Sequence, residues 1–342
     1  MKKVRIIYYL VFFVIFGIAA RAQEKQPLKL LVTTPLPGYA GDFDHFGIDL
    51  KGKRLFLTAE DHKTVEVFDL MDGKRIKTIE GFALPHAIVF LPEANNFIVT
   101  DGDDDSGAVA LVSGKDYSIL NKIKLPPGVD GAIFNPVNKN YYVEGGVDDP
   151  KASTHLIHII DTKTFKLVGD IPLPGNHSEA MAISRDGKKL YVNLTGPKEV
   201  GVVDLDTLKL IANWPIPDAE TPNSMVLDEP NHRLFIATRK PAKFFVFNID
   251  TGKVVTTLPC TGMNDDMWFD VPRKRIYVTG TEATTVFEQR DADHYEHITE
   301  VPTGYRAKTS LLVPQLNRLY IVVSGKGKDD AKLAMQIYEI QP

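Results

Sequence analysis

The chain has 342 residues, of which 40 are Lys or Arg and 44 are Asp or Glu, so its formal net charge is −4. This acidic balance argues against nucleic acid as a partner, because phosphate binding needs a basic surface. The single cysteine, Cys260, excludes an internal disulfide framework. A chain of this length can bury a core of its own without one.

The N-terminal residues have the pattern of a secretory signal peptide. A basic start is followed by an apolar run from Ile6 to Ala20 and by small residues up to Ala22. We therefore predict a signal peptide over residues 1–22 and a periplasmic or secreted mature protein without a membrane span. Cleavage there removes four basic residues and leaves residues 23–342 with a formal net charge of −8. A retained membrane anchor is the alternative, although the apolar run is shorter than the ~20 residues that span a bilayer.

A short strand-like motif, of the form hydrophobic-aromatic-Val/Ile-small, recurs along the mature chain. Its copies lie 42 to 49 residues apart and begin at Leu55, Phe97, Tyr141, Leu190, Leu234, Ile276 and Leu319. Around the fourth copy, four hydrophobic segments alternate with turn residues such as Asp186-Gly187, which indicates one antiparallel sheet. Seven such units predict an all-β, seven-bladed β-propeller that forms a single domain over residues 23–342.

The two ends of the mature chain complement each other in this scheme. The seventh copy lacks an outer strand, whereas the segment Leu28 to Thr33 precedes the first copy as an extra strand. We predict that this segment pairs with Met335 to Ile340 and closes the ring. Closure removes the free sheet edges that favour aggregation.

One position per repeat is expected at the mouth of the central channel, where the inner strand of each blade begins. It lies 11 residues before each copy of the motif and reads Asp44, His86, Asp130, Glu179, Asn223, Asp265 and Lys308, with His45 and Arg306 beside it. Polar groups from every blade predict a ligand-binding site at this opening. The alternative is a water-filled channel in which these groups are merely solvated.

The residue types at this ring also allow a metal ion. Oxygen donors from Asp44, Asp130, Glu179, Asn223 and Asp265 favour calcium, a hard cation, with Asp44, Glu179, Asn223 and Asp265 as the expected ligands. The imidazoles of His45 and His86 favour zinc or a similar ion instead. The sequence therefore leaves open whether calcium, another divalent cation or no cofactor is bound.

The repeat itself resembles a known family. The segments LYVNLT, IYVTGT and LFIATR, with Asp-Gly-Lys before the first and Asp-Thr-Gly-Lys after the last, are similar to the YVTN β-propeller repeat. The resemblance spans essentially the whole mature chain and implies a seven-bladed propeller in a secreted or periplasmic protein. It implies no particular activity, because propellers of this kind share a fold rather than a reaction.

A second resemblance, to calcium-dependent lactonase propellers, concerns the ring alone. Glu179, Asn223 and Asp265 stand at inner-strand starts, as the metal ligands of those enzymes do. The resemblance implies a cation that polarises a lactone carbonyl, with His45 or His86 as the general base on water. Those enzymes have six blades, one fewer than the repeat count predicts here.

Taken together, these patterns predict an exported propeller that binds a ligand or protein at the channel mouth. The expected partner is a small polar ligand or another exported protein, and the expected state is a monomer. The loops between second and third strands are acidic in blades one to three, as at Glu60, and basic in blades four, five and seven, as at Arg239. The competing prediction is a metal-dependent hydrolase of lactones or related small esters.

Overall fold

The computed structural model describes residues 26–103, 105–145, 151–325 and 333–342. These residues form seven four-stranded antiparallel sheets. The inner strand of each sheet contacts the inner strand of the next, and the last contacts the first, so the sheets form a closed ring. The predicted all-β, seven-bladed propeller is confirmed, whereas the predicted signal peptide lies outside the described residues.

The first four blades follow the chain without interruption. Blade one contains β2 (Phe46–Asp49), β3 (Arg54–Ala59), β4 (Thr64–Asp69) and β5 (Arg75–Ile79). Blade two contains β6 (Pro85–Leu91), β7 (Asn96–Gly102), β8 (Gly107–Ser113) and β9 (Ile119–Leu125). Blade three contains β10 (Val129–Asn135), β11 (Asn140–Gly145), β12 (Thr154–Asp161) and β13 (Lys166–Pro174). Blade four contains β14 (Ser178–Ile183), β15 (Lys189–Leu194), β16 (Glu199–Asp204) and β17 (Lys209–Pro215).

The last three blades differ by a short helical turn after the inner strand. Blade five contains β18 (Glu220–Asp228), β19 (Arg233–Lys240), β20 (Ala242–Asn248) and β21 (Lys253–Pro259). Blade six contains β22 (Met267–Asp270), β23 (Arg275–Thr279), β24 (Ala283–Gln289) and β25 (Tyr295–Pro302). Blade seven contains β26 (Thr309–Val313), β27 (Arg318–Val323) and β28 (Ala334–Ile340), joined by β1 (Leu28–Pro35). The turns are the 3₁₀ segments Glu229–Asn231, Val271–Arg273 and Pro314–Leu316.

The ring is closed by the N-terminal strand, as predicted. β1 pairs antiparallel with β28, with Leu28 opposite Ile340 and Pro35 opposite Ala334. The last blade thus contains strands from both ends of the described chain. This pairing fastens the ring, because blade seven cannot open without separating β1 from β28.

The hydrophobic core is divided among the seven seams between blades. Each seam holds its own cluster of buried side chains, such as Phe56 with Phe97 between blades one and two and Phe244 with Phe287 between blades five and six. The second strand of every blade begins one residue before the motif, and its side chains pack into both flanking seams. Burial on both faces explains why these strands are continuous hydrophobic runs.

Candidate functional site

The seven ring positions do meet at one place. Each stands at the start of an inner strand, and all seven line a single cavity of about 520 Å³. His45 and Arg306, predicted beside the ring, line it too. The structure therefore brings together every side chain proposed for ligand binding or catalysis, while their roles stay predictions.

The ring is held by side chains from the second strands. The hydroxyl of Thr100 in blade two donates to the backbone carbonyl of Asp130 in blade three, at 2.7 Å. Asn193 and Thr279 make the same kind of bond to the carbonyls of Asn223 and Lys308 in their neighbouring blades, at 2.9 Å each. Bonds across the seams fix the backbone beneath the ring, so its side chains project from a rigid base.

On one side of the cavity the charges neutralise each other. Asp265 of blade six accepts hydrogen bonds from the Lys308 ammonium, the Arg239 guanidinium and the Asn223 amide. Burial alone would raise the pKa of this carboxyl, but Lys308 and Arg239 outweigh burial and lower it. Asp265 is therefore a carboxylate with two cations already in contact.

A second carboxylate on this side is neutralised in the same way. Asp42, which is 4% exposed, accepts a hydrogen bond from Arg306 and lies 3.8 Å from the Lys308 ammonium. Burial lowers the pKa of Lys308, yet Asp265, Asp44 and Asp42 together raise it above its ordinary value. We call Asp42, Arg239, Asp265, Arg306 and Lys308 the closed half of the cavity.

Across the cavity, the histidine of blade two lies between two carboxylates. Nδ1 of His86 is 2.9 Å from Asp44 Oδ2 and 3.4 Å from Asp130 Oδ1. Burial would lower the pKa of His86, but Asp130 and Asp44 outweigh it and raise that pKa to about 10. Burial opposes ionisation of Asp44 as well, yet His45 and His86 hold the pKa of Asp44 well below its ordinary value.

A similar arrangement continues in blades three and four. Nδ1 of His177 is 3.0 Å from Glu144 Oε1, and its Nε2 is 3.3 Å from Glu179 Oε1. Burial would lower the pKa of His177, but Glu144 and Glu179 raise it to about 12. Burial raises the pKa of Glu144 to about 7, with His177 acting in the opposite direction.

His45 of blade one and an acidic loop residue, Glu60, complete this side of the cavity. His45 lies 3.5 Å from Asp44 and 3.4 Å from Asp266, and these carboxylates outweigh burial to raise the pKa of His45. Burial and the nearby Asp44 raise the pKa of Glu60 to about 7. We call Asp44, Glu60, His86, Asp130, Glu144, His177 and Glu179 the open half, because among the described residues no Lys or Arg nitrogen lies within 4.0 Å of its carboxyl groups.

The cavity as a whole carries more negative than positive side chains. Among the described residues, three permanent cations line it, Arg239, Arg306 and Lys308, against eight carboxyl groups: Asp42, Asp44, Glu60, Asp130, Glu144, Glu179, Asp265 and Asp266. The exposed carboxylates lie in the open half. The side chain of Asp130 is 37% exposed and that of Glu179 22%, against 7% for Asp265. An entering molecule therefore reaches carboxylate oxygens on this side that no Lys or Arg side chain covers.

The predicted calcium ligands do not converge. In the described part of the chain, one group of three His, Cys, Asp or Glu side chains has its ligand atoms within 4.8 Å of one another, and it is Asp44, His86 and Asp130. Glu179 and Asp265 stand outside that group. Asp265 faces Lys308 and Arg239, which take the place of a metal ion at its oxygens.

Some residues of the site were not picked out by counting along the repeat. Glu144 lies inside β11, at the position held by Thr58, Thr100 and Thr279 in other copies. A carboxyl group in place of a threonine, within a buried strand, is the signal that marks it. Asp42 has no such signal, because it precedes the ring position of its blade by two residues and lies in a loop.

The charges expected on the loops are only partly available to a partner. Glu60 and Arg239 turn into the cavity, as described above. Asp101 is buried, accepts hydrogen bonds from two backbone amides and pairs with Lys122 at 3.0 Å. This carboxylate therefore anchors a turn and contributes little to an external field.

No protein-family model matches the chain, and no curated protein matches it. Among solved structures, hydrazine synthase of Kuenenia stuttgartiensis is similar with a TM-score of 0.72 and 18% identity, over 89% of this chain and 96% of that one. A chain in the crystal structure of a mitotic checkpoint complex is similar with a TM-score of 0.75 and 12% identity, over 98% and 99%. These likenesses show the fold alone.

The β-propeller that both resemblances implied is thus established, with seven blades. Membership of the YVTN repeat family stays a prediction. Within the described residues, no helix is long and apolar enough to cross a membrane.

Proposed function

We propose that the chain is an exported propeller that binds a small, positively charged organic ligand in its central cavity. The observation that carries this proposal is the contrast between the two halves. In the closed half every carboxylate has a Lys or Arg partner, whereas Asp130 and Glu179 in the open half are accessible and contact histidines only. An ammonium group can bind the accessible oxygens of Asp130 and Glu179 without displacing a Lys or Arg side chain.

The cavity suits a ligand of modest size. Its volume of about 520 Å³ lies within the range of small-molecule sites, roughly 300 to 1,000 Å³. Its wall also includes apolar side chains from inner strands, such as Met181, Met225 and Trp268, which can contact the carbon chain of a ligand. Export rests on the signal peptide predicted for residues 1–22.

A series of four-carbon compounds tests the proposal by charge alone. Putrescine carries a positive charge at each end, 4-aminobutyrate one of each sign, and succinate a negative charge at each end. Isothermal titration of the purified protein should show affinity falling in that order, and falling for putrescine as salt is added, because the attraction is electrostatic. Equal affinities, or succinate as the tightest ligand, would contradict the proposal.

A matched pair of variants locates the site. Glu179→Gln removes a negative charge from the open half, whereas Glu199→Gln removes one from the same blade away from the cavity. We expect at least about tenfold weaker putrescine binding in the first variant, equivalent to ~1.4 kcal/mol, and no change in the second. Equal effects would place the ligand elsewhere.

The hydrolase alternative stays a prediction. Its metal set included Asp265, which is held by Lys308 and Arg239. The geometry therefore favours binding.

A further inference from the structure

We propose that Asp44, His86 and Asp130 form a binding site for a divalent transition metal, with zinc as the fitting ion. The inference rests on the proposed function in one respect, since both place a cation in the open half. It differs in naming three ligand atoms and a metal. It also differs from the calcium set expected from the sequence, because it keeps Asp44 and Asp130, adds His86 and omits Glu179, Asn223 and Asp265.

The three side chains come from rigid and neighbouring parts of the ring. His86 lies in β6, Asp130 in β10, and Asp44 two residues before β2, so three successive blades contribute one ligand each. Their ligand atoms lie within 4.8 Å of one another. The hydroxyl of Thr100 donates to the Asp130 carbonyl and accepts from the amide of Ala87, next to His86, so two of the three ligands are held on strands that this hydroxyl links.

The orientation of His86 is the observation that points to a metal. Its Nε2 lies 3.0 Å from the carbonyl oxygen of Gly102. A carbonyl can only accept, so Nε2 carries the hydrogen and Nδ1 faces Asp44 and Asp130. Metal-binding histidines are commonly fixed in this way, with the second ring nitrogen donating to a carbonyl. His86 is 8% exposed, which leaves the imidazole little freedom to turn away.

The charge around the group is also suitable. Within the described ranges, no Lys or Arg nitrogen lies within 4.0 Å of Asp44 or Asp130, in contrast to Asp42 and Asp265. Two carboxylates balance the charge of a divalent ion once the ion replaces the proton on Nδ1 of His86, which is released on binding. Imidazole nitrogen suits zinc and its neighbours in the periodic table better than calcium, which prefers oxygen ligands throughout. The accessible side of Asp130 leaves room for water or a ligand on the metal.

Equilibrium dialysis of the purified protein against Zn²⁺, with metal content measured after removal of free ion, tests the site. We expect one zinc per chain and a higher melting temperature with zinc than with a chelator. Asp130→Asn should bind zinc at least about 10- to 100-fold more weakly. This side chain is 37% exposed, so the variant should fold.

A control variant in the same blade separates the site from histidine–carboxylate pairs in general. Asp170 is 41% exposed and lies 2.6 Å from His158, outside the cavity. Asp170→Asn should bind zinc as the wild type does. Absence of zinc binding, equal binding by Asp130→Asn and the wild type, or stronger binding of Ca²⁺ than Zn²⁺ would overturn the inference.

The Glu179→Gln variant distinguishes failure of the zinc site from failure of the proposed function. Glu179 is not a ligand in the group, so this variant should lose putrescine and retain zinc. Putrescine binding without zinc binding would overturn the metal site alone. Zinc binding without putrescine binding would uphold the metal site and overturn the organic ligand.

Discussion

Asp265 and Asp130 hold the same repeat position in blades six and three, yet their surroundings differ. Asp265 is 7% exposed and contacts Lys308, Arg239 and Asn223, whereas Asp130 is 37% exposed and contacts His86. The repeat therefore places a carboxyl group at the same position in both blades. The side chains of the neighbouring blades determine whether that carboxyl group is paired with a Lys or Arg. We propose that the closed half supports the fold and that the open half binds a cation.

The largest loss of stability is expected when a carboxylate of the closed half is removed. Asp265→Ala leaves the buried ammonium of Lys308 and the guanidinium of Arg239 without their shared partner. Loss of one member of a buried ion pair costs about 3 to 5 kcal/mol of unfolding free energy. Asp130→Ala should cost less than about 1 kcal/mol, as for an exposed pair. Urea unfolding of both variants makes the comparison, and equal losses would show that the halves do not differ.

The pH dependence of stability should also distinguish the halves. Because the pKa of His177 is raised from 6.5 to about 12, its stabilising effect is complete below pH 6.5 and is lost as the pH rises toward 12. Between pH 7 and 9 this one proton lowers the free energy of unfolding by at most about 1.4 kcal/mol per pH unit. The closed half should not respond in that interval, since the pKa of Asp265 is lowered and that of Lys308 is raised.

His177→Gln isolates this contribution. The variant should be less stable than the wild type at pH 7, and the gap between them should narrow by pH 9, as measured by urea unfolding at each pH. Because His177 itself lowers the pKa of Glu144, the comparison is repeated in a Glu144→Gln background, where Glu179 still raises the pKa of His177 and the side chain at position 144 does not titrate. A gap that stays constant would mean that His177 acts by packing rather than by charge.

A smaller effect is expected from the seam bonds beneath each half. Thr100→Val removes the hydrogen bond to the Asp130 carbonyl in the open half, and Thr279→Val removes the one to the Lys308 carbonyl in the closed half. Each should cost about 1 kcal/mol of stability, with the shape of the side chain preserved. Only Thr100→Val should also weaken zinc binding. The same weakening in Thr279→Val would indicate a loss of rigidity throughout the ring.

The fold and the ring could be predicted from the sequence because both follow from the regular spacing of the repeated motif. Hydrophobic segments recur at one spacing, and a count of 11 residues from Leu55, Phe97 and the other motif starts reached seven cavity-lining side chains. The closing pair of strands followed from a count of strands at the two ends. Local pattern suffices for these features because each blade is built in the same way.

The pairing of charges could not be predicted, because it depends on contacts between blades. Arg239 lies near the end of β19 in blade five and contacts Asp265 of blade six, and Asp42 contacts Arg306 from the opposite end of the chain. No spacing in the sequence shows which carboxylate a long side chain will reach. For the same reason Asp265 was expected to bind calcium, although two cations already contact it.

A crystal structure of the protein with putrescine would show directly whether the open half binds an organic cation. We expect an ammonium nitrogen within hydrogen-bond distance, ~2.7 to 3.2 Å, of a carboxylate oxygen of Asp130 or Glu179. The ion pairs of Asp265 and Asp42 should be unchanged. An ammonium group bound at Asp265 or Asp42, with Lys308 or Arg306 displaced, would contradict this expectation.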